Sequence, residues 1–262
     1  MSNILETIAA YTKIRIHQTK AMKSMKEIKA EALHMNCDTG FPFEEALKVR
    51  PMAFICECKK ASPSKGVISE DFNYMQIAKD YETAGASAIS VLTEPKWFMG
   101  NDSYLKEIAE EVTIPCLRKD FVIDEYMIYE AKVLGAAAVL LICAILTEKT
   151  LCRYLRLCDS LGLSALVEVH NEEEVFTALR AGARIIGVNN RNLKDFSVDV
   201  SNSRRLRCLV PEDVLFVAES GIQSAKEVKE LHQAKVNGVL IGETLMRAQN
   251  KKAVLTLLKE QL

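Results

Sequence analysis

The chain has 262 residues, 49% of them apolar, and its 34 Lys and Arg against 35 Asp and Glu leave a net charge of −1. That balance, with no long basic run, excludes an electrostatic footprint for nucleic acid, and no apolar stretch approaches the ~20 residues of a membrane span. The size suits one α/β barrel, for which roughly 250 residues is typical, although two smaller domains would also fit.

The N-terminus, Met1 to Ala10, mixes polar and isolated apolar residues, unlike a secretory signal. Eight cysteines are present: Cys37, Cys56, Cys58, Cys116, Cys143, Cys152, Cys158 and Cys208. Most lie inside apolar patterns, so buried free thiols in a reducing cytoplasm are expected. On a strand, Cys56 and Cys58 point together, away from the face of Glu57 and Lys59. No metal site is expected there.

Residues 1–50 read as a helical extension. Ile4, Leu5, Ile8 and Tyr11 fit one face of a first helix. Thr19 to Leu33 is rich in good helix formers and reads as a second. Phe43 to Leu47 reads as a short third after Pro42. The extension is expected to pack as a cap over one end of the core.

From residue 51 onward, short apolar runs alternate with amphipathic stretches. The expected strands are Met52–Lys59, Ala88–Thr93, Pro115–Lys119, Ala138–Ile142, Ser164–Val169, Ile185–Asn189, Leu215–Glu219 and Gly238–Ile241. Helical patterns fall between them, at Tyr74–Ala84, Tyr104–Glu111, Glu125–Leu134, Glu148–Leu161, Glu172–Ala181, Val200–Leu209 and Ser224–Gln233. A last helix is expected from about Thr244 to the C-terminus. Gly85, Gly135, Gly162 and Gly182 each follow a helical pattern and precede a strand, where glycine accepts the left-handed conformation that stops a helix.

Strands that are apolar throughout indicate a parallel sheet covered by helices. Their number favours a closed (β/α)8 TIM barrel: one domain over 1–262, with eight β/α units in 51–262. An open doubly wound sheet is the alternative. It would usually carry G-x-G-x-x-G after the first strand, where this chain has Ala61-Ser62-Pro63-Ser64-Lys65-Gly66.

A barrel of this kind places its site at the C-terminal strand ends. Charged residues on buried strands are costly unless paired or in use, and here they gather at those ends. Strand one closes on Glu57 and Lys59, strand three on Lys119, strand five on Glu168, strand six on Asn189, and strand seven on Glu219. Alternation aligns Glu57 with Ile55, Lys119 with Leu117, Glu168 with Leu166, Asn189 with Gly187, and Glu219 with Val217 on common faces. Lys119 and Glu168 read as an acid–base pair, because burial depresses a lysine and raises a carboxylate. Arg118 faces the other way and reads as an ion-pair partner under the helices. His170 reads as a surface loop histidine.

Ser220-Gly221 and Gly242-Glu243 lead toward helices after strands seven and eight, the usual phosphate site of such barrels. The Glu243 backbone N–H could serve an anion while its side chain points away. Phe98, Phe121 and Leu140 could supply apolar walls.

These residues carry a resemblance. The pieces E-C-K-K-A-S-P-S-K-G, L-T-E-P-K-W-F, L-R-K-D-F, L-V-E-V, I-G-V-N-N-R-N-L, A-E-S-G-I and L-I-G-E-T-L-M occur in order across nearly the whole chain. Together they resemble the indole-3-glycerol phosphate synthase family of tryptophan biosynthesis. The family's fold is a (β/α)8 barrel. Its reaction closes the indole ring of 1-(2-carboxyphenylamino)-1-deoxyribulose 5-phosphate, losing carbon dioxide and water.

The resemblance implies Lys119 as general acid, Glu168 as the base of the later dehydration, and Lys59 with Glu57 as the strand-one catalytic pair. It also implies supporting catalytic roles for Asn189 and Ser220. Ser62, Gly221 and Gly242 match phosphate-side positions, with Glu243 beside them. Phe98, Phe121 and Leu140 match the aryl pocket, and Arg191 and Glu219 belong to the same motifs. The implied partner is a phosphorylated small molecule, with no metal or organic cofactor, no nucleic acid and no membrane. A cytoplasmic monomer or weak homo-oligomer is expected. One departure is Met99-Gly100-Asn101, where the family usually has a small pair such as Gly-Ser.

Overall fold

The eight apolar runs form eight parallel strands that close on one another. They are β1 (Ala53–Cys58), β2 (Ala88–Leu92), β3 (Cys116–Lys119), β4 (Ala138–Ile142), β5 (Ser164–Val169), β6 (Ile185–Asn189), β7 (Leu215–Glu219) and β8 (Gly238–Ile241). Closure is carried by β1, which pairs with β8 through Ala53–Gly238 and with β2 through Ile55–Ala88. The open-sheet alternative is therefore excluded. The computed structural model describes residues 4–192 and 195–262, so Leu193 of the I-G-V-N-N-R-N-L motif and Met1 to Asn3 lie outside the described residues.

Alternation sorts the strand residues into two cores. Ile55, Leu117, Leu140, Leu166, Ile185, Val217 and Leu240 fill the barrel interior. Cys56, Cys58, Val139, Val167, Val188 and Ala218 pack outward under the helices. Both cysteines of the Cys56-x-Cys58 pair are buried free thiols, as their face requires.

The outer layer is α4 (Tyr74–Thr83), α5 (Asp102–Glu111), α6 (Glu125–Val133), α7 (Glu148–Ser160), α8 (Glu172–Ala181), α9 (Ser201–Arg207) and α10 (Ala225–Gln233). The expected last helix is in fact two, α11 (Glu243–Met246) and α12 (Lys251–Lys259). Asn250 starts α12 by accepting a hydrogen bond from the Ala253 N–H.

The N-terminal extension differs from expectation in two ways. Its first helix, α1 (Ile4–Met22), includes Thr19, and α2 runs from Met25 to His34. The break is a capping box, in which Ser24 accepts from the Glu27 N–H while Glu27 accepts from the Ser24 N–H. Second, the extension caps both ends of the barrel. Phe43 and Leu47 of α3 (Pro42–Leu47) join the interior core, with Leu47 against Gly238 at the start of β8. Leu5 and Ile8 of α1 join the same core from the opposite end, beside Phe121 and Leu140.

Charge fixes α1 across that mouth. Arg15 donates to the fully buried Asp120 at 2.7 Å, and Lys20 pairs with Asp124 at 2.6 Å. Tyr11 meets Trp97 edge-on at 5.4 Å. Asp120 also accepts from the Thr93 hydroxyl at 2.7 Å, so one carboxylate joins α1 to the ends of β2 and β3.

Arg118 is 1% exposed outside the barrel wall and pairs with Asp102 and Glu130, each at 2.7 Å. It also donates to the Thr93 hydroxyl and the Met127 carbonyl. Removing one partner of a buried ion pair strands the others in low dielectric. Arg118→Met is expected to lower stability by about 3 kcal/mol, read as a lower urea midpoint at unchanged slope.

Candidate active site

The strand ends open into a cavity of about 460 Å³ at the C-terminal face of the barrel. The sequence-predicted residues Glu57, Lys59, Ser62, Phe98, Lys119, Phe121, Leu140, Glu168, Asn189, Arg191, Glu219, Ser220, Gly221, Gly242 and Glu243 all line it. They come from the strands or the loops after them all around the barrel, so only its closure brings them together. Ile4, Leu5 and Ile8 of α1 line it too. Sequence periodicity marked them as a packing face but not as a roof over the site.

Lys119 is the centre of charge. Its ammonium lies 2.7 Å from Glu219 and 3.1 Å from Glu168; both carboxylates are buried, and the lysine side chain is 12% exposed. Burial alone would depress this lysine. The carboxylates of Glu219, Glu168 and Glu57 outweigh that and hold it above the ordinary range. Glu168 is also buried, yet Lys119, His170 and a hydrogen bond from Asn189 bring it below the usual carboxylate range. Both directions are opposite to the sequence expectation for the pair. Burial does raise a carboxyl here, but that carboxyl is Glu219. Desolvation and the neighbouring Glu168 outweigh the pull of Lys119 and push it up to about 7.

Register and two glycines make room for these groups. Glu168 stands beside Gly187, and Asn189 beside Glu219, in adjacent strands. A Cβ on Gly187 would fall 2.2 Å from Glu219 Oε1. Glu57 and Lys59 pair at 2.5 Å, and a Cβ on Gly242 would fall 2.3 Å from Glu57 Oε1 and 2.8 Å from Lys59 Nζ. Gly242 thus has a role the motif did not suggest: it gives clearance to the strand-one pair.

On the opposite wall, Phe98 and Phe121 lie 6.0 Å apart, with Leu140 on the same cavity surface. The loop carrying Phe98 is held by the fully buried Glu94, which accepts from the N–H groups of Lys96, Trp97 and Phe98. The departure at Met99-Gly100-Asn101 falls outside the cavity lining. Met99 sits outside it at φ 53°, and Gly100 is demanded by the Leu92 carbonyl, 2.3 Å from where a Cβ would stand.

The third wall is formed by Ser62, Ser220, Gly221, Gly242 and Glu243. Ser220 and Gly221 both have positive φ, 68° and 82°, which glycine adopts freely and serine rarely does. Ser62 sits on a two-residue strand, Ala61–Ser62, in a small hairpin with Gly66–Val67, where the sequence suggested a plain loop. Glu243 does not turn away from this wall. Its carboxylate is held by Arg247 at 3.1 Å and by Lys65 and Arg191 at 3.7 Å each.

His170 is not the surface residue expected. Its side chain is 18% exposed, with Nε2 3.5 Å from Glu168 and Nδ1 3.1 Å from Glu174. Burial would depress it, but these carboxylates raise it overall. The signal was available in the sequence, since His170 and Glu174 stand four apart at a helix start.

The family model for indole-3-glycerol phosphate synthase matches residues 5–258. The synthase of Ruminiclostridium cellulolyticum is 56% identical over 98% of this chain and 98% of its own length. That of Lachnoclostridium phytofermentans is 54% identical over 99% and 100%. Among solved structures, 3-hexulose-6-phosphate synthase from Salmonella typhimurium superposes with a TM-score of 0.64 at 15% identity, covering 79% of this chain and 96% of that one. The last likeness is one of fold. By its sequence over nearly its whole length, this chain belongs to the indole-3-glycerol phosphate synthase family.

Proposed function

We propose that the protein converts 1-(2-carboxyphenylamino)-1-deoxyribulose 5-phosphate to indole-3-glycerol phosphate, carbon dioxide and water, with Lys119 as the proton donor. The observation that carries this is one ammonium held between two buried carboxylates, in a cavity with an apolar wall on one side and the Ser220-Gly221 turn on another. The aryl ring fits against Phe98, Phe121 and Leu140. The phosphate fits the N–H groups of Gly221, Gly242 and Glu243, with Ser62 and Arg191 at its edge. The ribulose carbonyl then lies over Lys119.

Ring carbon attack puts negative charge on the carbonyl oxygen. A lysine held above its ordinary range stays protonated until that charge appears, so it stabilises the oxyanion and then transfers a proton to it. Loss of carbon dioxide restores the neutral ring. Glu168, kept ionised, takes the proton whose removal accompanies departure of water. Asn189 orients Glu168, and Lys59, held by Glu57, faces the anionic groups of the substrate. A lysine kept protonated is a poor nucleophile, which disfavours a Schiff-base aldolase.

The direct test is an indole-fluorescence assay with the carboxyphenylamino substrate. Lys119→Ala is expected to lose about 10²–10⁴ in turnover while still binding substrate; near-normal turnover would show that the acid is another group. Gly242→Ala forces the Glu57–Lys59 pair from its place and is expected to lower kcat/KM by roughly 10–100-fold. Its thermal unfolding should move little, because the Cβ meets side-chain ends and not backbone.

A further inference from the structure

The imidazole of His170 sits between two carboxylates on opposite sides. On the α8 side, Glu174 is fully committed: one oxygen accepts from the Asn171 side-chain amide at 2.9 Å, the other from the His170 backbone N–H at 2.8 Å and from ring Nδ1 at 3.1 Å. A carboxylate only accepts, so Nδ1 must carry a proton. On the barrel side, Nε2 is buried, lacks a hydrogen-bond partner among the described residues, and stands 3.5 Å from Glu168 Oε1. A neutral ring would aim its Nε2 lone pair at that carboxylate. An imidazolium aims an N–H at it instead. The charges therefore favour the protonated ring.

Further groups surround this ring. His170 also lines a second cavity of about 440 Å³, which shares Leu5, Asn189 and Arg191 with the catalytic one and adds Asp199 and Arg205. Arg191 and Arg205 are drawn toward Glu243 and Glu172, while Asp199 accepts from Ser201. Lys119 and Glu219 lie beyond Glu168. α1 contributes Leu5 on this side, and the turn after β4 contributes Ala144 and the Cys143 thiol. That thiol donates to the Glu174 backbone carbonyl at 3.7 Å, and burial, with Glu174 and Glu168 nearby, pushes it up to about 12, so it stays neutral. The His170 carbonyl accepts from the Asn202 side chain at 3.2 Å, which ties the loop to α9.

We propose that His170 is a positioning residue for the ring-closure reaction: as an imidazolium braced by Glu174, it fixes the Glu168 carboxylate from the side opposite Lys119 and keeps it ionised. This rests on the reading of Glu168 as the base. Lys119 holds one oxygen of Glu168, and His170 faces the other. When Lys119 gives up its proton, its hold on Glu168 weakens, and the charge of His170 remains. The base therefore stays ionised for the later dehydration.

The test is kcat and KM as functions of pH for wild type, His170→Ala, His170→Gln, Glu174→Gln and Glu168→Gln. In His170→Ala, kcat is expected to fall roughly tenfold with KM little changed. Its acidic limb should move to higher pH, because Glu168 loses a cation and protonates more readily. Glu174→Gln should move the limb the same way by less. His170→Gln, which supplies a neutral donor, should recover kcat at high pH while the limb stays displaced. A His170→Ala or His170→Gln profile superimposed on wild type, beside an inactive Glu168→Gln, overturns the role of His170. Turnover retained in Glu168→Gln instead sinks the assignment of the base, and this proposal with it.

Discussion

One buried ammonium organises this molecule. Lys119 brings a positive charge into a barrel mouth lined by Glu57, Glu168 and Glu219. Without it, Glu168 and Glu219 would share a desolvated space with no cation between them, and at least one would have to protonate. With it, the carboxylates separate in character: Glu168 is held ionised and Glu219 is raised to about 7. Two chemically identical side chains thus acquire different protonation behaviour from their positions around a single cation.

The scaffold serves that arrangement in ways that are not themselves chemical. Gly187 and Gly242 leave space where a methyl group would strike Glu219 and the Glu57–Lys59 pair. Asp120, the residue after Lys119, pins α1 over the mouth through Arg15. Arg118, the residue before it, anchors the outer face of the same strand to α5 and α6. Three consecutive residues of β3 and its end therefore divide the work of wall, site and roof. Apolar residues of α1 then narrow the opening, which lowers the local dielectric and strengthens each charge interaction inside.

The fold alone does not carry the activity. A barrel that superposes at a TM-score of 0.64 belongs to a protein of another name at 15% identity. What distinguishes this chain is which side chains stand at the strand ends. The wall proposed for the phosphate shows the same division. Its backbone turns at Ser220-Gly221 with positive φ at both residues, while Lys65, Arg191 and Arg247 offset the nearby Glu243.

The barrel was legible in the chain because its signals are local. Strand alternation, apolar runs and helix-stopping glycines act within a few residues, and β4 to β8 fall on their expected spans. The polar strand ends were legible for the same reason: a charge on a buried strand is conspicuous wherever it occurs. Three features were decided only by tertiary structure. The extension's span of both barrel ends depends on where Leu5 and Leu47 find apolar surface, which no local pattern encodes. The protonation of Lys119, Glu168 and Glu219 depends on distances between residues up to 100 positions apart, so burial by itself suggested the wrong direction for two of them. His170 looked like a loop histidine because it stands just past a strand; its carboxylates, Glu168 and Glu174, are near in sequence, but the burial of the ring between them is a property of the packed loop. Residue type and periodicity specified the parts, and closure of the barrel set the electrostatics.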